Sequence, residues 1–321
     1  MPAREPSDRL PPLTGAHLAA LIAVADAGSF GEAALRLGVA QSSVSHAVRA
    51  AETALGVRLF ERGRHGARPT PAGERVLAHA RHAALSLQAM ALATREGDPH
   101  GPLSGTLHVA SCRSVLRHFV TPALRDFQRA HPGVRVVVHD FTGEHDDIEA
   151  AVASGGAHLG LGRLPMRPDL AARALVADEY LIVTAAHAAP IRSWDELHRA
   201  PYILCEEDCA PHVAAHVAAH SRPPQPAMRL KDPLVALGMV AEGHGYTVFT
   251  RLVVSPLPPG LRVQPLPVPL WRTLGAVTTR GQAGHPLVAA FARAALSPAA
   301  LRERAGPLAR LLRFPDLGPG V

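Results

Sequence analysis

Cys205, Cys209, His212, His216 and His220 lie close together in the chain, with the three histidines at i, i+4 and i+8 on one face of an expected helix. Two thiolates and two imidazoles at such spacing are a donor set for a tetrahedral Zn²⁺ or another soft metal. The same stretch admits redox chemistry. Cys209 stands just before a helix start, where the dipole lowers a thiol pKa, and Cys205 or Cys112 is available as its partner. Set against both is a chain with 19 histidines in 321 residues, in which such neighbours arise by chance. Its 3 cysteines cannot all pair with one another, so free, reactive and metal-binding thiols all remain open.

A second group is built for a polyanion. From Gln41 to Leu55, Val44, Ala47, Val48, Ala51 and Leu55 repeat at helical spacing, leaving Gln41, Ser42, Ser43, Ser45, His46 and Arg49 outward. Such a helix is roughly 22 Å long and fits a DNA major groove, where Gln or Arg can discriminate bases. The bland alternative is an ordinary solvated face. Arg58, Arg62, Arg64 and Arg68 follow closely against one acid, Glu61. Arg62, Arg64, Arg68 and Thr70 suit phosphates or the minor groove. Ser29 reads as an N-cap whose helix end can also meet a phosphate. A third group, Ser111, Cys112, Arg113 and Ser114, lies between a strand and a helix, where backbone N–H groups favour a carboxylate or other anion; a simple capping role for Ser114 competes.

The elements that must position these groups can be read in order. Leu18, Leu21, Ile22 and Ala25 mark a first helix ended by Gly28, and Ala33, Ala34 and Leu37 a short second one ended by Gly38. The 41–55 helix completes a helix-turn-helix. Leu59-Phe60 and Ala67 to Thr70 flank Gly63-Arg64-His65-Gly66 as a hairpin or wing. From Pro71 a long helix runs to about Arg95, with Leu77, Ala80, Ala84, Leu87 and Ala91 forming a short coiled-coil seam expected to dimerise. Gly97 to Pro102 breaks the pattern.

Beyond it, strands at 106–110, 134–139, 180–184, 202–205, 246–249 and 274–278 alternate with helices at 122–130, 146–153, 211–220, 233–242 and 286–295. Alternation predicts an α/β domain. Two proline-marked stretches, 162–168 and 256–269, are expected to carry the chain between two lobes. The boundaries are then 13–70 for the DNA-binding domain, 71–96 for the linker helix and 103–298 for the α/β domain. Its first lobe covers about 103–164 and 270–298, its second about 165–269, and 299–321 form an extension without a readable role.

Composition bounds the rest. Hydrophobic residues make up 47% and charged ones 19%, as in a globular protein, and the net charge of +6 suits a polyanionic partner without requiring one. No apolar run reaches membrane-spanning length and the first twelve residues lack a signal-peptide core, so the expected place is the cytoplasm. Nucleophile-elbow, P-loop, dinucleotide and HExxH patterns are absent, which leaves no enzyme chemistry to nominate; a solute receptor would not need the first 96 residues.

Leu18, Ala25, Gly28-Ser29-Phe30, Ala33-Ala34, Leu37, Gln41-Ser42-Ser43-Val44-Ser45, Glu52, Leu55-Gly56, Leu59-Phe60, Arg62 and Thr70-Pro71-Ala72-Gly73 together resemble the LysR-type transcriptional regulators. The similarity continues more loosely through Pro122, Phe127, His131-Pro132 and Gly243-x-Gly245. Gly31, Ala51 and Thr250-Arg251 depart from the family pattern. The resemblance implies an N-terminal winged helix-turn-helix with a small β wing, a long dimerising linker helix, and a two-lobed α/β effector domain like a periplasmic receptor, assembled as a homodimer or homotetramer. It also implies double-stranded promoter DNA as partner, RNA polymerase as a further one, and no required cofactor. A small-molecule effector of unspecified identity would meet Ser111, Arg113, Ser114, Gly143 and Cys209. Peroxide-sensing members keep a reactive cysteine near Cys209, but Ala218 stands where their resolving cysteine would be. A redox reading through Cys205, Cys209 and Cys112, and a metal reading through Cys205, Cys209, His212 and His216, stand as alternatives to an organic effector.

Overall fold

The computed structural model describes residues 12–63, 66–93, 103–206 and 209–315, and divides into two compact units, the first Met1–Gly101 with Ala153–Gly156, the second Pro102–Val152 with Ala157–Val321. In the first unit, α1 (Gly15–Ala27), α2 (Phe30–Leu37) and α3 (Gln41–Leu55) precede a hairpin of β1 (Phe60–Gly63) and β2 (Gly66–Pro69) and the helix α4 (Pro71–Ala93). Thr14 and Ser29 cap α1 and α2 with their hydroxyls, while Gly28, Gly38 and Gly56 end the three helices in left-handed conformation. Leu21, Val24, Ala33, Val44, Val48, Leu59 and Leu77 make one apolar core.

That core changes the reading of the linker. Leu77 is buried in it, so the first position of the expected seam serves the winged domain itself. Leu87 and Met90 remain exposed further along α4. Gly73 has a packing reason, because a Cβ there would stand 2.1 Å from the Leu59 carbonyl oxygen. This lets α4 start directly against β1, with the Thr70 amide donating to the same carbonyl.

The second unit begins with β3 (Ser104–Cys112), followed by α5 (Arg113–Val115), which runs through a π turn (Leu116–Val120) into α6 (Thr121–Ala130). Next come β4 (Gly133–Phe141), α7 (Asp146–Ala153), β5 (Leu159–Arg163), the long β6 (Leu170–Ala185), α8 (Trp194–Arg199) and β7 (Tyr202–Cys205). The remainder is α9 (Cys209–His220), β8 (Pro226–Leu230), α10 (Pro233–Ala241), β9 (Thr247–Thr250), the long β10 (Leu261–Thr279), α11 (Pro286–Leu296) and α12 (Pro298–Ala305). The main sheet has the order β4-β3-β5-β10-β6-β9, and β7-β8 form a small parallel sheet.

Two lobes arise because β6 and β10 run antiparallel through both. At one end β10 pairs with β5 as well; at the other β6 pairs with β9. Alternate residues of β6 feed opposite faces, Tyr180 and Ile182 packing with Val213 and Tyr246, Leu181 and Val183 with Ala236 and Phe249. The proline stretch expected as a connector is therefore a strand from Leu261 onward. Its prolines appear where the register jumps between Pro265 and Leu270, since residues without an N–H interrupt a ladder.

The extension also acquires a place. Arg313 bridges Ala177 of β6 through amide-to-carbonyl bonds of 2.6 and 3.1 Å, and its guanidinium lies 3.8 Å from the Trp271 ring centre on β10. Among the described residues no helix is long and apolar enough to cross a membrane.

Candidate functional site

On α3, Gln41, Ser42, Ser43, His46 and Arg49 are exposed and Ser45 is half-buried, while Val44, Val48 and Ala51 are buried beneath them. The N-cap of this helix is Ala40, which makes no side-chain capping bond. The Ser43 amide turns back onto the Ala40 carbonyl at 3.0 Å, leaving the Gln41 and Ser42 amides to face an anion, whereas on α2 the Ser29 hydroxyl accepts the Glu32 amide at 3.2 Å. The Ala67 amide donates to Gly28 at 2.7 Å, bringing the wing beside Ser29. Arg68 is exposed on β2. Arg64 lies outside the described residues, as does the Arg62 side chain.

Thr70 is occupied otherwise. Its hydroxyl donates to the Arg58 carbonyl at 2.9 Å and accepts the Gly73 amide at 2.9 Å, so its first role is to cap α4. Glu52, known from sequence only as a motif residue, accepts the Leu59 and Phe60 amides at 2.8 and 3.3 Å and so fastens the wing to α3.

In the second unit a cleft of about 260 Å³ opens between the lobes. Arg113, Ser114, Arg117 and Glu144 line one side; Pro233, Leu234, Thr250 and Leu252 line the other. Of the expected effector residues, Arg113 and Ser114 reach it. Ser111 is 0% exposed and donates to the Cys112 carbonyl, and Gly143 is buried between the lining residues Thr142 and Glu144. Cys209 begins α9, but its side chain is outside the described set.

The floor of the cleft is a charge network absent from the sequence reading. Arg272 of β10, 3% exposed, donates to Asp178 at 2.8 and 3.2 Å, to Ser114 Oγ at 3.0 Å, to Thr250 Oγ1 at 2.9 Å, and to Glu144. Glu144 also accepts from Tyr180 at 2.6 Å and Arg163 at 2.8 Å. Burial alone would raise the Glu144 carboxyl, but Arg272, Tyr180 and Arg163 together hold it below its ordinary value. At Asp178, 0% exposed, burial outweighs Arg272 and the carboxyl rises. Arg272 is raised well above its usual range against burial, because it faces two carboxylates. One guanidinium thus ties Ser114 and Glu144 in the first lobe to Thr250 in the second. Thr250 did carry a signal, as a departure from the family pattern; Arg272 and Asp178 carried none.

Of the thiol and imidazole group, the His216 and His220 rings lie 4.6 Å apart and the Cys209 side chain is outside the described residues. Among the described residues no group of three or more His, Cys, Asp or Glu side chains could hold a metal ion. His216 bonds the Val268 carbonyl at 2.9 Å, in the register jump of β10, and His220 stacks on Trp194. Cys205 and Cys112 are both buried, and burial pushes the Cys112 thiol up, away from thiolate reactivity.

Residues 16–74 match the family model described as "Bacterial regulatory helix-turn-helix protein, lysR family", and residues 100–299 match "LysR substrate binding domain". The chain is 35% identical over 280 residues, 86% of its length and 94% of the relative's, to a probable HTH-type transcriptional regulator LrrA of Synechococcus elongatus. It is 30% identical over 243 residues, 73% of this chain and 81% of the other, to the HTH-type transcriptional regulator TfdS of Cupriavidus pinatubonensis. Among solved structures, a single-residue variant of full-length OxyR from Pseudomonas aeruginosa superposes with a TM-score of 0.68 at 21% identity, covering 89% of this chain and 99% of that one. At that identity the likeness speaks for the fold.

Proposed function

Because the chain belongs to the LysR family of transcription regulators, we propose that it grips promoter DNA with α3 and its wing and is switched by a small anion bound between its lobes. It is a DNA-binding transcription regulator with an effector-binding domain, in a family of regulators rather than enzymes. In this reading residues 13–70 bind DNA, with Gln41, Ser42, Ser43, Ser45, His46 and Arg49 in the major groove and Ser29, Arg62, Arg64 and Arg68 on phosphates or in the minor groove. The linker 71–96 pairs two copies through the part of α4 that leaves Leu87 and Met90 exposed, and further pairing gives a tetramer. Residues 103–298 hold the effector at Arg113, Ser114 and Arg117. The working place is the cytoplasm, with RNA polymerase as a downstream partner.

The single observation that carries this reading is the division of α3: its apolar stripe is buried while Gln41, Ser42, Ser43, His46 and Arg49 face outward from a helix start without a side-chain cap. The test is fluorescence anisotropy of a duplex from upstream of its own gene, titrated with wild type, Arg49→Ala and Arg68→Ala. Arg68→Ala, as a lost phosphate contact, should lower the slope of log K against log salt by about 0.9 between about 50 and about 200 mM salt, and Arg49→Ala, as a lost base contact, should weaken binding by about 1–3 kcal/mol. Affinities and slopes equal to wild type in both variants would overturn the assignment.

A further inference from the structure

We propose that the second lobe holds a small-molecule site separate from the interlobe cleft, suited to an uncharged one- or two-ring organic molecule carrying a carbonyl or hydroxyl oxygen. The site is a cavity of about 250 Å³ under α9, walled by Leu204, Val213, Val217, Val248 and Leu266 with the Pro223-Pro224 turn beside it. An apolar cavity of about 150 Å³ already takes up benzene. This one has room for a ring with a substituent.

Chemistry narrows the ligand. Among the described residues Arg229 is the one charged side chain lining the cavity, and it already faces Glu206 at 3.5 Å. An anion therefore finds no unshared cation there. Tyr246 also lines the cavity; it is 1% exposed, and its hydroxyl has no hydrogen-bond partner among the described residues. Burial pushes the phenol pKa up, so it stays protonated as a donor. A buried donor without an acceptor is costly, and a ligand oxygen relieves that cost. The ring is held in place: it stacks on Tyr202 at 5.2 Å, the Tyr246 amide donates to Pro201 at 2.9 Å, and the Ile203 amide donates to Tyr246 at 2.8 Å. The position is also connected. β9 presents Val248 to this cavity and Thr250 to Arg272 in the cleft, so one short strand serves both places.

The experiment is a ligand-observed NMR titration of the full-length protein with acetophenone, which has a ring and a carbonyl, and with toluene, which has only the ring. Acetophenone should saturate one site, and Tyr246→Phe should weaken it about fivefold to tenfold while leaving toluene unchanged, as one hydrogen bond predicts. Ala214→Trp, at an exposed α9 position that lines the cavity, should abolish binding of both. Arg117→Ala, in the interlobe cleft, should change neither. Thermal unfolding identifies any variant that fails to fold. The proposal is overturned if folded wild type shows no saturable acetophenone binding, if Tyr246→Phe binds it as well as wild type, if Ala214→Trp still binds, or if Arg117→Ala removes binding. The readout involves no DNA, so it stands or falls apart from the regulatory assignment.

Discussion

Replacing Arg272 by Met should destabilise the second unit, and the loss should grow with pH. Methionine fills comparable volume but withdraws the cation from Glu144 and Asp178, which are 3% and 0% exposed. Glu144 retains Arg163 at 2.8 Å and the Tyr180 hydroxyl; Asp178 retains the Leu252 amide at 3.3 Å and the Thr250 hydroxyl. Breaking a buried pair by removing one partner costs about 3–5 kcal/mol. With a urea m-value of about 2 kcal/mol/M, the midpoint should fall by about 1.5–2.5 M. Arg272 lowers both carboxyl pKa values in the folded state, so its removal raises them, and the folded variant binds more protons than the unfolded chain across the range between those values. Its stability therefore falls as pH rises, and the gap from wild type is smaller at pH about 5 than at pH about 8. Both tryptophans, Trp194 and Trp271, lie in this unit, so intrinsic fluorescence reports its unfolding alone. A midpoint shift typical of a surface ion pair, under about 1 kcal/mol, or a gap independent of pH, would refute the reasoning.

Three further outcomes follow from particular contacts. Gly73→Ala places a methyl against the Leu59 carbonyl and should cost the winged unit about 1–3 kcal/mol, read as a lower helical melting temperature by circular dichroism. Truncation after Arg310 removes the Arg313 bridge and its cation–π contact, and should expose Trp271, seen as a red-shifted emission with a stability loss of about 1–2 kcal/mol. Cys112 and Cys205, both buried, should resist iodoacetamide in the folded protein and react fully in urea; mass spectrometry finding rapid native labelling of either would contradict their placement.

Where a segment's own pattern matches its final environment, reading the chain residue by residue was enough. The α3 face is such a case, because one periodicity both forms the helix and selects which side is buried. The caps of α1 to α3 are local too: Ser29 and the three terminating glycines act on backbone within a few residues. Strand β7 and helix α7 were likewise legible to their ends. Strand β5 was not, since Leu159-Gly160-Leu161-Gly162 lacks branched side chains at Cβ. A Cβ on Gly160 would meet Val152 at 2.7 Å, so its glycines answer to α7 packing rather than to strand propensity.

The sequence by itself determined the winged helix-turn-helix, the alternating α/β character of the second unit and the position of Ser114 at the end of its first strand, because those depend on neighbours in the chain. Only the tertiary structure decided the floor of the cleft. Arg272, Glu144 and Asp178 are separated by up to 128 positions and carry no shared spacing. They meet because β6 and β10 pair antiparallel and bring Asp178 opposite Arg272. The histidines of α9 divide the same way: their helical spacing is local, whereas the Val268 carbonyl beside His216 and the Trp194 ring beside His220 come from whatever elements fold against the helix.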